Sequence, residues 1–162
     1  MAGGILPIAK HRGQLFFLFG REVQDGKWSD FGGGKEGTES PWQTAIREGC
    51  EELNGFLGSP GELADLVKNN AVYHVEVNGY HTYLFEIDYD EKLPYYFGNN
   101  HRFIKKHLPR ELRKANGLFE KSEVGWFSLG ELSRSRHFFR HFYKKTIDAF
   151  QGNSAEIERS MR

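Results

Sequence analysis

The sequence predicts one domain of the α/β (α+β) class. Short apolar runs of strand character alternate with segments of helical period along the chain. One central stretch joins a glycine-rich loop to a capped amphipathic helix. The 162 residues are enough for one sizeable core. Apolar residues make up 38% and aromatic residues 15%, so that core is expected to be rich in rings. The formal net charge is zero, so affinity for a polyanion must come from local patches. Cys50 is the single cysteine, which excludes an internal disulfide and fits a reducing compartment. No apolar run approaches the ~20 residues of a membrane span, and no signal peptide opens the sequence. The expectation is a soluble, cytoplasmic protein with no membrane partner. Its single domain covers residues 1–150, and a polar tail covers 151–162.

Taken in order, Gly4 to Lys10 reads as a strand, with Pro7 arguing for an edge or irregular position. His11-Arg12-Gly13 is a turn. Gln14 to Val23 holds Leu15, Phe16, Phe17, Leu18 and Phe19, a fully buried strand from whose end Arg21 and Glu22 emerge. Trp28 to Phe31 leads into Gly32. Ser40 is a good helix N-cap, Pro41 suits the first turn, and Gln43 completes a capping box. Asn54 and Gly55 tolerate left-handed geometry and end this helix. Trp42, Ala45, Ile46, Gly49 and Leu53 form its inward stripe. Ser59-Pro60-Gly61 is a break, and Glu62 to Asn69 a short helix. Ala71–Val77 and His81–Tyr89 are strands joined by Asn78-Gly79, a strong hairpin signal. Tyr73, Tyr83 and Phe85 are core or pocket aromatics.

Asn99 to Lys114 differs in character. Arg102, Lys105, Lys106, Arg110, Arg113 and Lys114, with His101 and His107, face the single acid Glu111, a local charge of about +5. Ser133 to Lys145 begins a last helix with Phe138, Phe139, Phe142 and Thr146 toward the sheet. Arg134, Arg136, Arg140, Lys144 and Lys145 then form a second basic set. Gln151 to Arg162 is polar and expected to fray.

Chemistry concentrates on the central helix. At about 100° per residue, Glu48, Glu51 and Glu52 share an arc about 100° wide beside the apolar stripe. Three carboxylates so close repel unless a cation sits among them, and hard divalent cations prefer such oxygens. A solvated acidic face is the plain alternative. The full spacing decides: Gly33, five residues, Glu39, seven residues, Arg47-Glu48, two residues, Glu51-Glu52. This resembles the signature of the Nudix hydrolase family. The chain departs from it twice. Gly49 stands where an aliphatic residue is usual, which is expected to loosen packing. Asn54-Gly55 replace a Gly-apolar pair, a change expected to alter only the cap.

The resemblance implies an α/β/α sandwich with a mixed sheet. It also implies a pyrophosphohydrolase acting on a nucleoside diphosphate linked to another moiety, with Mg²⁺ or Mn²⁺. Carried onto this sequence, Glu48, Glu51 and Glu52 are metal ligands, with the Gly32 carbonyl. Glu39 and Arg47 form a structural ion pair. Leu118 to Leu129 also resembles a family segment whose loop acid supplies a further ligand or base. Glu120 and Glu123 are the candidates, with Glu120 better placed relative to Trp126, and Glu48 remains an alternative base. Arg21, Lys35, Arg102, Lys105 and Lys106 are candidate substrate-phosphate contacts. Three readings follow. One is a nucleotide-type diphosphate, with capped RNA among the candidates because basic segments and aromatics suit it. Another is a diphosphoinositol polyphosphate, suggested by Gly32-Gly33-Gly34. The third is a non-catalytic ligand-binding domain.

Overall fold

A computed structural model describes residues 2–114, with Lys114 as backbone only, and 118–162. Seven strands form one mixed sheet: β1 (Ala2–His11), β2 (Gln14–Glu22), β3 (Trp28–Ser29), β4 (Phe31–Gly34), β5 (Ala71–Val77), β6 (Tyr80–Glu86) and β7 (Lys121–Ser128). The path is β3-β2-β1-β6-β5, with β4 paired to β1 and β7 to β2. Among the described strand pairs, β1 and β6 run parallel and the others are antiparallel.

Alternation explains the ring-rich run in β2. Leu15, Phe17 and Phe19 enter one core cluster and Leu18 the other, so a continuous apolar stretch serves both faces of a covered sheet. On the first face lie α5 (Leu129–Ser135), α6 (Lys144–Gly152) and α7 (Ser154–Ser160), contributing Leu132, Ile147, Phe150 and Ile157. On the second lie α1 (Pro41–Glu52), α2 (Pro60–Asn69) and α3 (Leu93–His107), contributing Ala45, Ile46, Leu63, Val67 and Phe97. A short helix, α4 (Arg110–Lys114), follows α3. The result is the α/β/α sandwich that the signature implied.

Pro7 is not at an edge but in the middle of the sheet. The Ile8 carbonyl accepts from the Ile87 amide on the β6 side, so Pro7 faces the other way. There β4 has ended its pairing at Ile5 and β2 begins at Ile8, so the missing N–H costs no ladder bond. The hairpin at Asn78-Gly79 forms with φ of 53° and 77°, the backbone of a primed turn. Ser59 and Pro60 open α2 rather than break the chain, since Ser59 and Glu62 make a capping box.

The C-terminal region departs most from expectation. Two short 3₁₀ turns, Arg136–Phe138 and His141–Tyr143, precede α6. Three residues per turn shift the helical face. Phe139, Tyr143 and Thr146 therefore become buried, while Phe138 and Phe142 stay exposed. The segment beyond Gln151 does not fray. Ile157 is fully buried, the Arg162 amide donates to Glu86, and its guanidinium donates to the Asn69 carbonyl.

Gly49 does not loosen α1. A Cβ there would stand 2.5 Å from Ile5 Cδ1, so β1 already fills the space an aliphatic residue would take. Gly49→Ile, the family-like residue, should therefore lower stability by about 1–3 kcal/mol through overpacking. Urea unfolding of the variant checks this; an unchanged midpoint would refute it.

Candidate active site

The acidic end of the site begins with α1. Ser40 accepts from the Gln43 amide while the Gln43 side chain accepts from the Ser40 amide, which fixes where the helix starts. Arg47 then acts as a hub. Its Nε and Nη2 donate to the two Glu39 oxygens at 2.8 and 3.1 Å, a bidentate pair. Its Nη2 also donates to the Gly34 carbonyl at 3.0 Å, and its Nη1 to Glu48 at 2.9 Å and Glu51 at 3.5 Å. Glu39 further accepts from the Thr44 hydroxyl and the Glu36 amide. Hydrogen bonds from Arg47 hold the Glu39 carboxyl down at a pKa of about 2. One guanidinium thus ties the loop after β4 to the acidic face of α1.

Glu52 sits deeper. It is 3% exposed and accepts from the Gly32 amide at 2.8 Å. Lys121 Nζ lies 3.4 Å from it, and Lys121 also bonds Glu22 and the Ser29 hydroxyl. Lys121 is completely buried. Burial pushes the Glu52 carboxyl well above its ordinary range, against the opposing pull of Lys121. Glu22 receives a further bond from Arg140 Nη1 at 3.3 Å. Behind this group, burial raises Asp30 to a pKa of about 7, where it accepts from the Tyr80 and Thr82 hydroxyls.

Glu120 arrives from the loop before β7. The Phe119 amide donates to Asn54 Oδ1 at 2.9 Å, and the Val23 amide donates to the Glu120 carbonyl at 2.9 Å. Asn54 therefore does more than cap α1: its side chain fastens the Glu120 loop beside the acidic face. Burial raises Glu120, and the charges of Glu22 and Glu48 raise it further. Glu51 is raised chiefly by burial.

These groups line one cleft of about 630 Å³: Gly32, Gly33, Glu48, Glu51, Glu52 and Glu120, with Glu22 and Arg140 on its wall. A second cavity of about 740 Å³ adjoins it and shares Glu22, Gln24 and Glu120 as a common ridge. Its far wall carries His101, Lys105, Arg110 and Arg113 beside Ile104, Leu118 and Phe119. Acid cleft and cationic cavity thus lie side by side.

The donor set suits a hard divalent ion, because several carboxylates line one cleft together with the backbone of Gly32 and Gly33, and their mutual repulsion calls for positive charge. Among the described residues, no group of three His, Cys, Asp or Glu side chains is close enough as it stands to hold an ion. The carboxylates are instead held by Arg47, Lys121 and the Gly32 amide. Gly33 passes very near: a Cβ there would stand 2.6 Å from the Glu48 carboxyl.

The sequence matches the NUDIX domain across residues 2–150. The chain belongs to the NUDIX family. It is a pyrophosphohydrolase of that family, whose members generally use divalent metals. No curated protein sequence matches it significantly. Among solved structures, an Ap4A hydrolase from C. elegans in a binary complex is 17% identical, with a TM-score of 0.56 over 95% of this chain and 96% of that one. A bifunctional NMN adenylyltransferase/ADP-ribose pyrophosphatase from Francisella tularensis, complexed with AMP and a Mn ion, is 18% identical. Its TM-score is 0.56 over 98% of this chain and 41% of that one. At such identity the likeness shows the fold. Among the described residues, no helix of this NUDIX domain is long and apolar enough to cross a membrane.

The structure brings Gly32, Glu48, Glu51, Glu52 and Glu120 to one cleft, and sets Glu39 and Arg47 at its rim. Glu123 lies elsewhere, paired with Arg21 at 3.2 Å. Of the phosphate candidates, Lys105 lines the cationic cavity. Arg21, Lys35, Arg102 and Lys106 line neither space. Trp28 and Phe31 are packed against or within the core, and Tyr83 stacks on His74. Lys121, Glu22 and Gln24 carried no distinguishing signal. A β-bulge between Arg21 and Glu22 turns Lys121 inward opposite Glu22, while the next pair, Arg21 and Glu123, points out. The side chain of Lys114 lies outside the described residues.

Two outcomes test this geometry. Because Glu39 is held well below its ordinary value, its contribution is present above pH ~4.5 and lost as pH falls toward about 2. Glu39→Gln should therefore lower stability at pH 6 and flatten its acid dependence below pH 4.5, measured by denaturant midpoints across that range. Asn54→Gly keeps a residue suited to φ of 52° but removes the acceptor for the Phe119 amide. It should cost about 1 kcal/mol and raise hydrogen exchange at Phe119, with the amides inside α1 unaffected.

Proposed function

We propose that this NUDIX domain hydrolyses a diphosphate bond in a nucleoside diphosphate linked to another moiety, with Mg²⁺ or Mn²⁺ held by Glu48, Glu51, Glu52 and the Gly32 carbonyl. The observation that carries the reading is the adjacency of the two spaces across the ridge of Glu22, Gln24 and Glu120. A pyrophosphate needs positive charge where it reacts, and its remaining phosphates need cations while its base needs an apolar wall. The cavity offers both, with Lys105, Arg110 and Arg113 beside Phe119 and Ile104. A space walled by cations alone would suit a diphosphoinositol ring instead; Phe119, Leu118 and Ile104 favour a nucleoside. The dinucleoside and ADP-ribose substrates named for the two structural neighbours are of this class, and capped RNA is a larger member of it.

A bound divalent cation supplies neutralisation of phosphate oxygens and a more acidic attacking water. The chain's own residues do the rest. Glu48, Glu51 and Glu52 fix the cation side of the cleft, and Arg47 orients Glu48 and Glu51. Glu120 takes the proton from water. Among the described residues its carboxylate makes no hydrogen bond, and its raised proton affinity brings it nearer to neutral pH. Lys105 and Arg113 hold the phosphates that do not react.

The test is turnover with Mg²⁺ or Mn²⁺ across dinucleoside polyphosphates, ADP-ribose, capped RNA, nucleoside triphosphates and diphosphoinositol polyphosphates. Hydrolysis of nucleotide members is expected, with Glu52→Gln lowering turnover at least ~10²-fold. Gln keeps an acceptor for the Gly32 amide but gives up the charge 3.4 Å from Lys121, so a lower thermal midpoint is expected as well, and turnover is read where circular dichroism shows the variant folded. Turnover of the inositol compound alone would replace this reading. Turnover of none of the nucleotide members would overturn the substrate class.

A further inference from the structure

The outer face of α3 carries an arrangement that the cleft does not use. The helix contains no acid. On its inner side Phe97 is buried in the second core cluster, while His101 and Ile104 look into the cationic cavity. The opposite side presents Tyr95, Tyr96 and Phe103, which are 64%, 55% and 61% exposed. At helical spacing Arg102 and Lys106 fall among these rings, and both are exposed. Phe103 lies against His107 with ring centroids 4.4 Å apart, and Tyr95 and Tyr96 are 5.5 Å apart. Large exposed rings cost solvation unless they meet a ligand, and here three of the seven exposed large apolar residues among those described share one helix. Lys105 stands at the border of this face and the cavity, and Arg110 of α4 continues the cationic wall. Asp88, Asp90 and Glu91 precede the helix, so the basic character ends sharply beyond Tyr95.

Rings that offer flat faces, interleaved with cations and free of acids, match a ligand that is itself a chain of flat bases on an anionic backbone. A duplex hides its base faces, and an acidic peptide has no use for three stacking platforms. We propose that the outer face of α3 binds single-stranded nucleic acid. Bases stack on Phe103, Tyr95 and Tyr96, and phosphates meet Arg102, Lys106 and Lys105. A helix of 15 residues spans about 22 Å, room for a few nucleotides. The path runs toward the ridge of the acid cleft, yet the binding itself requires neither metal nor turnover.

The experiment is fluorescence anisotropy of a 5′-labelled, unstructured 15-nucleotide RNA with the full chain in EDTA. Any failure of the hydrolase reading therefore leaves the result untouched. The expected outcome is saturable binding whose log K falls with log salt at a slope of about −2 for three phosphate contacts. Tyr95→Ala/Tyr96→Ala/Phe103→Ala should weaken it at least ~10-fold with the salt slope kept. Arg102→Gln/Lys106→Gln should reduce the slope by about 1.4. The substituted side chains are exposed, and far-UV circular dichroism verifies that the fold is kept. Phe103→Ala alone, with an intermediate loss, provides a milder variant. Absence of binding at low salt would overturn the proposal. So would binding indifferent to both sets of substitutions, equal affinity for a duplex, or tighter association with anionic phospholipid vesicles.

Discussion

The ammonium of Lys121, entirely out of solvent, is the interaction on which the centre of the molecule depends. It lies between Glu22 of β2, Glu52 at the end of α1 and Ser29 of β3, and so joins three elements at one point. Two buried carboxylates with no cation between them would repel across a medium of low dielectric, and the sheet could not bring β2 and α1 so close. Breaking such a buried pair typically costs about 3–5 kcal/mol, because the abandoned charges stay in the protein. Arg140 adds a second cation at the solvent edge of Glu22, and Asp30 behind is relieved by two hydroxyl donors and by its raised proton affinity. The core of the sandwich is therefore apolar on both faces of the sheet but ionic where sheet and helix meet at the cleft.

Arg47 does for the rim what Lys121 does for the floor. It is one side chain bonded to Glu39, Glu48, Glu51 and the Gly34 carbonyl, so loop and helix cannot move independently. Asn54 supplies the third anchor by fastening the Glu120 loop to the end of α1. Carboxylates of α1 thereby lie on one side of the ridge of Glu22, Gln24 and Glu120, and cations of α3 and α4 lie on the other. Opposite charge on the two sides of one ridge is what a substrate with a reacting and a non-reacting phosphate requires. It also gives a chain of zero net charge a local cationic wall.

Local chemistry was legible in the sequence. Capping box, turn dipeptides, strand runs and the spacing of Glu39, Arg47, Glu48, Glu51 and Glu52 depend on neighbours a few residues away, and the sequence states those neighbours directly. The Nudix pattern added the sandwich and the identity of the acidic face. Helix breaks near Phe139 and the docking of Ile157 were not legible, because both depend on what the sheet offers from far along the chain.

What the sequence by itself determined is which residues bear charge on α1 and in what order the elements come. Only the tertiary structure decided which charges are paired, which are buried and which face the open cavity. Lys105 and Lys106 are adjacent and chemically alike, yet one lines the cavity and the other does not. Lys121 and Glu123 are two apart and should share a face, yet a bulge sends one to the core and the other to the surface pair with Arg21. The physical reason is that a charge takes its energy from everything around it in space, and nearly all of the surroundings of Lys121 come from residues about 70 to 100 positions away.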